Sequence, residues 1–168
     1  MGRGKGMNMK ETAQHIRDTV KQVLPILKSI SEKTAAVKPA ALKWSNKEIL
    51  GHLIDSACNN QQKFVRTMQQ PHLDFVGYAQ DDWVVLQKYQ KAKWKDIINI
   101  WAHYNLQIAH IIEHVEPSCL NNTMSINGSE PFKLGFIMSD YAEHLKHHLK
   151  AILPDAGLES AFTNVYNA

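Results

Sequence analysis

Two cysteines in 168 residues, Cys58 and Cys119, with neither CxxC spacing nor a paired framework, offer little from which to build a disulfide or a thiolate metal site. No disulfide is expected, and a reducing, cytoplasmic compartment is the simplest setting. No apolar run approaches the ~20 residues that a membrane span needs. The basic start MGRGKGMNMK has no apolar segment behind it, so it does not read as a secretory signal. A run of five or more basic residues is also missing. The net charge of +3 comes from lysines scattered between acids, which argues against nucleic acid as a partner. Eight glycines and six prolines are too few for a fibre or a disordered chain, and 44% hydrophobic against 21% charged residues is an ordinary globular balance. The length suits one domain with a substantial core. Residues 1–8 are expected to form a flexible tail, with Met7 and Met9 as alternative starts, and residues 9–168 the domain.

Histidine is where the chain is rich. Three of its nine fall within five residues of the stretch Tyr141 to Ile152, YAEHLKHHLKAI. On a helix advancing about 100° per residue, His148 lies about 40° from His144, and His147 about 60° from it in the other direction. Ile137, Met138, Tyr141, Leu145 and Leu149 gather on the His148 side. His148 thus falls within the apolar stripe and His144 on its edge, while His147 points away with Lys146 and Lys150. Imidazoles at i and i+4 stand one turn apart and can reach one cation. Borderline divalent metals accept neutral imidazole, and a catalytic zinc commonly takes three protein ligands and keeps one position open. The same pair also fits hydrogen-bonded histidines at a core boundary, or a cationic patch.

The rest of the chain reads as three more helices. The first runs from Met9 to about Ser31, with Pro25 expected to kink it. Glu32 to Lys43 reads as a connector, leading to a capping box in which Ser45 is the N-cap and Glu48 its partner; Trp44 and Ile49 are positioned as a hydrophobic staple. The second helix starts there and runs to about Gln69. His52 lies about 140° from the centre of its apolar stripe, with Ser56 and Asn60 between, and Asn59 and Lys63 above it. This polar seam is either a solvated flank or one wall of a pocket. From Gln70 to Ala92 no helical period is sustained, and a connection this long in a compact domain is usually functional. His72 reads as loop. The third helix, Lys93 to Val115, leaves His103, His110 and His114 on its exposed side. Asn127-Gly128 predicts a tight turn and a small β-hairpin. The last helix, Lys133 to Leu153, carries the HxxxH and is stopped by Pro154.

Three separated elements, W-S-x-K-E-x-L-x-H-L-x-D-S from Trp44 to Ser56, Y-x-Q-D-x-W from Tyr78 to Trp83, and H-x-x-x-H from His144 to His148, resemble the DinB-like superfamily of YfiT type over almost the whole chain. The resemblance implies an all-α fold, an up-down four-helix bundle with a long crossover between helices two and three. It implies a divalent metal, zinc or nickel foremost, held by His52, His144 and His148, and it is the resemblance, not periodicity, that makes His52 a ligand. Tyr78, Gln80, Asp81, Asp82 and Trp83 are then expected to cover the open side of the site, with Ser56, Asn59 and Tyr141 near it. Ala79 stands where the family often has Asp. Asp55, one turn from His52, is a candidate to orient it, although helix geometry faces it outward. Cys58 reads as packed and not as a nucleophile. Similar proteins include thiol-dependent transferases and isomerases, and others described as metal-dependent hydrolases. The leading expectation is therefore metal activation of a low-molecular-weight thiol for transfer to a small electrophilic substrate. The alternatives are hydrolysis by water activated at the same metal, and a non-enzymatic metal-binding or stress-associated bundle. A homodimer is expected from the resemblance alone. The final segment, with Phe162, Val165 and Tyr166, is expected to dock on the bundle or on a partner subunit.

Overall fold

Apolar residues three and four apart build four long helices, and each buries the stripe the sequence carries. The computed structural model describes residues 8–166. The expected tail lies outside them except for Asn8, whose side chain accepts from the Lys10 backbone N–H and caps α1 (Met9–Ser29). α1 buries Ala13, Ile16, Val20, Val23 and Leu27, and runs as one helix through Pro25. The connector that follows is not featureless: Ser31 caps a short α2 (Glu32–Ala36). α3 (Asn46–Met68) opens on the capping box read from WSNKEI. The Ser45 side chain accepts from the Glu48 N–H, and the Ser45 N–H donates to Glu48 Oε2 at 2.8 Å.

The stretch after α3 departs from the sequence reading. It contains β1 (His72–Phe75) and α4 (Gln80–Gln87), followed by a 3-10 turn at Tyr89–Lys91. His72, expected in a loop, is a strand residue whose ring bonds Thr123 Oγ1 at 2.8 Å. The buried anchors of the stretch are Leu73, Phe75, Val84 and Tyr89, whereas Trp83 is half-buried against Tyr78. α5 (Trp94–Glu113) follows, with His103, His110 and His114 exposed as expected. Beyond it lie β2 (Thr123–Ile126), β3 (Phe132–Lys133) and α6 (Leu134–Ile152). The hairpin is present. Asn127 and Gly128 both take positive φ, 51° and 77°, and the Ser129 N–H donates to the Ile126 carbonyl at 3.0 Å. Its outer neighbour is unexpected: β1 pairs in parallel with β2, Leu73 opposite Met124, giving a sheet ordered β1-β2-β3.

That sheet fixes the directions of the helices. α3 and α5 feed parallel strands at one end of the molecule, so they run the same way and need a crossover between them. α1 runs against α5: Arg17 pairs with Glu113 at the far end of α5, and the Trp94 indole N–H donates to the Leu27 carbonyl at its start. α6 leaves the sheet and returns beside α1. The order is up-down-down-up, with α1 and α3 each packed on both α5 and α6. Trp101, Phe64, Leu50, Ile108 and Met124 lie in the shared core. Among the described residues no helix is long and apolar enough to cross a membrane.

Candidate metal centre

The contact between α3 and α6 carries the histidines. Antiparallel packing brings His52 level with the turn that holds His144 and His148, and one ring nitrogen from each lies within 4.8 Å of the others. The His144 and His148 Nε2 atoms are 3.1 Å apart, close to the spacing of two nitrogens on one ion with bonds of about 2.1 Å. His52 is 1% exposed. Both its nitrogens are buried without a hydrogen-bond partner among the described residues, an arrangement that costs about 1–3 kcal/mol for a polar group left so. A cation between the three rings would supply a partner for one of the two, so the donor set fits a borderline divalent metal.

The surroundings favour the neutral imidazole that coordination requires. Burial pulls His52 down to about 4 and His148 to about 3, the latter helped by its histidine neighbours. His144 falls well below its ordinary value, chiefly through burial and then through His148 and His52. Trp44 lies against the His52 ring at 5.0 Å between centroids and shields it from water. Ser56 Oγ is 3.5 Å from His144 Nδ1, at the long end for a hydrogen bond, and this side chain leaves Nε2 turned inward.

Other expected site residues divide. Ser56, Tyr78, Gln80 and Asp81 line a cavity of about 770 Å³ that opens beside the histidines. Ala79, in the same wall, is the N-cap of α4 and offers no capping side chain where an Asp would cap the helix start. Trp83 backs Tyr78 at 4.9 Å without reaching the cavity wall. Asp55 must be corrected on both counts. It is 2% exposed, not outward, and its Oδ1 accepts from Tyr89 Oη at 2.6 Å and Gln87 Nε2 at 2.7 Å, so it holds the crossover and does not orient His52. Asn59 is also turned away, donating to the Asp55 carbonyl at 2.9 Å. Tyr141 also lines the cavity, while its hydroxyl points into the core and donates to Asn105 Oδ1 at 2.7 Å.

Asp140 was not singled out from the sequence; it stands on α6 facing Lys63, which the seam of α3 had placed at a candidate pocket wall, and the C-terminal segment contributes Phe162 and Tyr166. Phe162 packs on the His144 and His147 rings, and the Tyr166 hydroxyl donates to Asp140 Oδ2 at 2.7 Å. The segment thus docks on its own bundle. Its only sequence signal was its apolar residues. Lys63 carried a better one, since it lies eleven residues beyond His52 on the same seam.

The fold and the histidines can be set beside known proteins. No curated protein matches the chain. Among solved structures, YfiT from Bacillus subtilis, described as a probable metal-dependent hydrolase with an unusual four-helix bundle topology, superposes with a TM-score of 0.80 over 92% of this chain and 90% of its own. The two sequences are 12% identical, so the likeness is one of fold. Sequence supplies the family: residues 15–152, from α1 to the last residue of α6, match the DinB superfamily, and with the crossover bundle and the histidine constellation in the same span, the chain belongs to it.

Proposed function

We propose that the protein is a metal-dependent enzyme in which His52, His144 and His148 hold one divalent cation, zinc or nickel, and that it hydrolyses a small molecule bound in the adjoining cavity. The observation that carries this reading is the convergence of three largely desolvated, neutral imidazoles whose ligand nitrogens lie within 4.8 Å of one another. Bound there, such a cation supplies a Lewis acid that lowers the pKa of a water or thiol and polarises a substrate oxygen. The chain's own residues do the rest. Trp44 keeps water from one side of His52, Ser56 sets the His144 ring, and burial withholds protons from all three rings. Three nitrogens leave room for a further ligand, and the cavity beside them is walled by polar groups from α3, α4 and α6.

A second reading, transfer of a low-molecular-weight thiol to an electrophilic small molecule, uses the same three histidines. It is favoured by the size of the cavity: about 770 Å³ lies in the upper part of the range for small-molecule sites and has room for two small reactants.

Both readings stand on the metal. Elemental mass spectrometry of untagged protein, purified without chelator or a nickel column, should find close to one equivalent of a divalent metal per chain, as a single three-histidine site requires. His52→Ala and His148→Ala should both lose it. Chelation should abolish turnover and leave the helical signal intact, because the core does not depend on the site. Wild type that takes up neither zinc nor nickel on titration would sink the proposal.

A further inference from the structure

The lysine that lines the cavity is unaccounted for. Lys63 is half-buried and lines the same space as the histidines, yet it makes no ion pair within 4.0 Å among the described residues. Its ammonium instead lies over the Phe75 ring, 5.4 Å from the centroid, a ring it shares with Arg66. The carboxylate that acts on it is Asp140 on α6, which stays beyond ion-pair distance and whose Oδ2 accepts from the Tyr166 hydroxyl. Burial pulls the Lys63 ammonium down to about 8, with Asp140 opposing it, the behaviour of a cation whose charge is poorly compensated. A desolvated ammonium in a substrate-sized cavity gains from an anion that arrives with the ligand.

Position adds the second constraint. His52, Ser56, Asn60 and Lys63 form one seam along α3, and eleven residues at 1.5 Å per residue separate the ends by roughly 16 Å. Ser56, which meets the His144 ring, lies seven residues before Lys63, so roughly 10 Å along the helix separates Lys63 from the level of that ring. The kind of anion follows from charge. Asp81, Asp82 and Asp140 also line the cavity, and their repulsion grows with the charge of the ligand, so a monoanion held by the single ammonium is opposed less than a dianionic phosphate would be.

We propose that Lys63 binds the carboxylate of a small organic acid that spans the cavity with its reactive end toward His52, His144 and His148. The placement of the reactive end rests on the proposed metal centre. The carboxylate contact does not.

The test is titration with hexanoate and with neutral hexanamide, followed by ligand-observed NMR, on wild type, Lys63→Met and Lys63→Arg. It is run on the full chain as purified and again after chelation, because a carboxylate can also seat on a metal. Wild type should prefer hexanoate about tenfold, the gain from one charge-assisted contact. Lys63→Met, which keeps the apolar stem on Phe75, should abolish the preference, and Lys63→Arg should keep it. Equal binding of the two ligands, no binding of hexanoate, or a preference that survives Lys63→Met or follows the metal instead would overturn the proposal. Zinc uptake measured on the same three proteins should be equal. Its absence in wild type would sink the metal reading, while the hexanoate comparison after chelation would still decide Lys63.

Discussion

An imidazole offers a lone pair to a metal only while it is neutral, and burial holds His52, His144 and His148 in that form. The consequence for stability has a definite sign. In the unfolded chain each takes up a proton near its ordinary value of 6.5, while in the folded chain His52 does so only near about 4 and His148 near about 3. Between those limits the unfolded state binds more protons, so stability rises with pH and is lost as pH falls below 6.5. Urea unfolding of the metal-free protein should therefore show a loss of about 1 kcal/mol for each histidine kept neutral between roughly pH 7.5 and pH 5.5. His52→Ala should reduce that slope by one histidine's share. A stability unchanged over this interval would mean that the rings protonate freely in the folded protein. His52 also shows what a sequence withholds at this scale. Its angle from the apolar stripe is that of a solvated residue, and periodicity reports which flank of a helix is apolar without reporting whether the other flank is covered. Asp55 misled for the same reason. On α3 even the polar flank is buried, with Lys47 bonded to Glu32 and to the Ala92 carbonyl.

What covers that flank is the crossover, held by a contact between elements. Gly51 lies under the Tyr89 ring, and a Cβ there would come within 2.3 Å of Tyr89 Cδ2. Tyr89 in turn donates to Asp55, and Gln87 adds a second bond to the same oxygen. Replacing Gly51 by alanine would ordinarily stabilise a helix interior by up to about 1 kcal/mol. Here the methyl must displace the ring and strain the Asp55 bonds, so Gly51→Ala should destabilise by about 1–3 kcal/mol in chemical denaturation. A neutral or stabilising result would show that the crossover is not seated on α3 as described. The long helices were legible because each carries its own period, and the α3 start was legible because the capping box is local. β1 and α4 were not. β1 exists by pairing with β2, about fifty residues away, and α4 buries only Val84 and has no capping side chain. Neither leaves a periodic trace.

At the scale of the whole molecule, the cavity is an assembly of segments distant in sequence: the α3 seam, the start of α4, the HxxxH face of α6 and the C-terminal segment. The last of these can be removed without touching the bundle. Leu158 is buried with the core, but beyond it the chain is held by surface contacts, Ser160 Oγ to the Glu143 carbonyl at 2.7 Å, Ala161 N–H to Glu143 Oε2 at 2.7 Å, Phe162 on His144, and Tyr166 to Asp140. The bond to the Glu143 carbonyl contributes about 1 kcal/mol and the two to carboxylates about 1.5–3 kcal/mol each, most of which is offset by the cost of ordering the segment. A chain ending at Leu158 should therefore keep its far-UV circular dichroism and lose only a few degrees in Tm, at about 2–4 °C per kcal/mol for this length. Its site should change more than its fold. Without Phe162 the His144 ring loses its packing on one side, and without Tyr166 the Asp140 carboxylate is freed to face Lys63. Metal should exchange with chelator faster in the truncated protein than in the full chain, and the hexanoate preference should weaken as Asp140 takes up the ammonium. If exchange and preference both match the full chain, the segment is a passive tail laid on a site complete without it. If the helical signal falls instead, these surface contacts support the bundle itself.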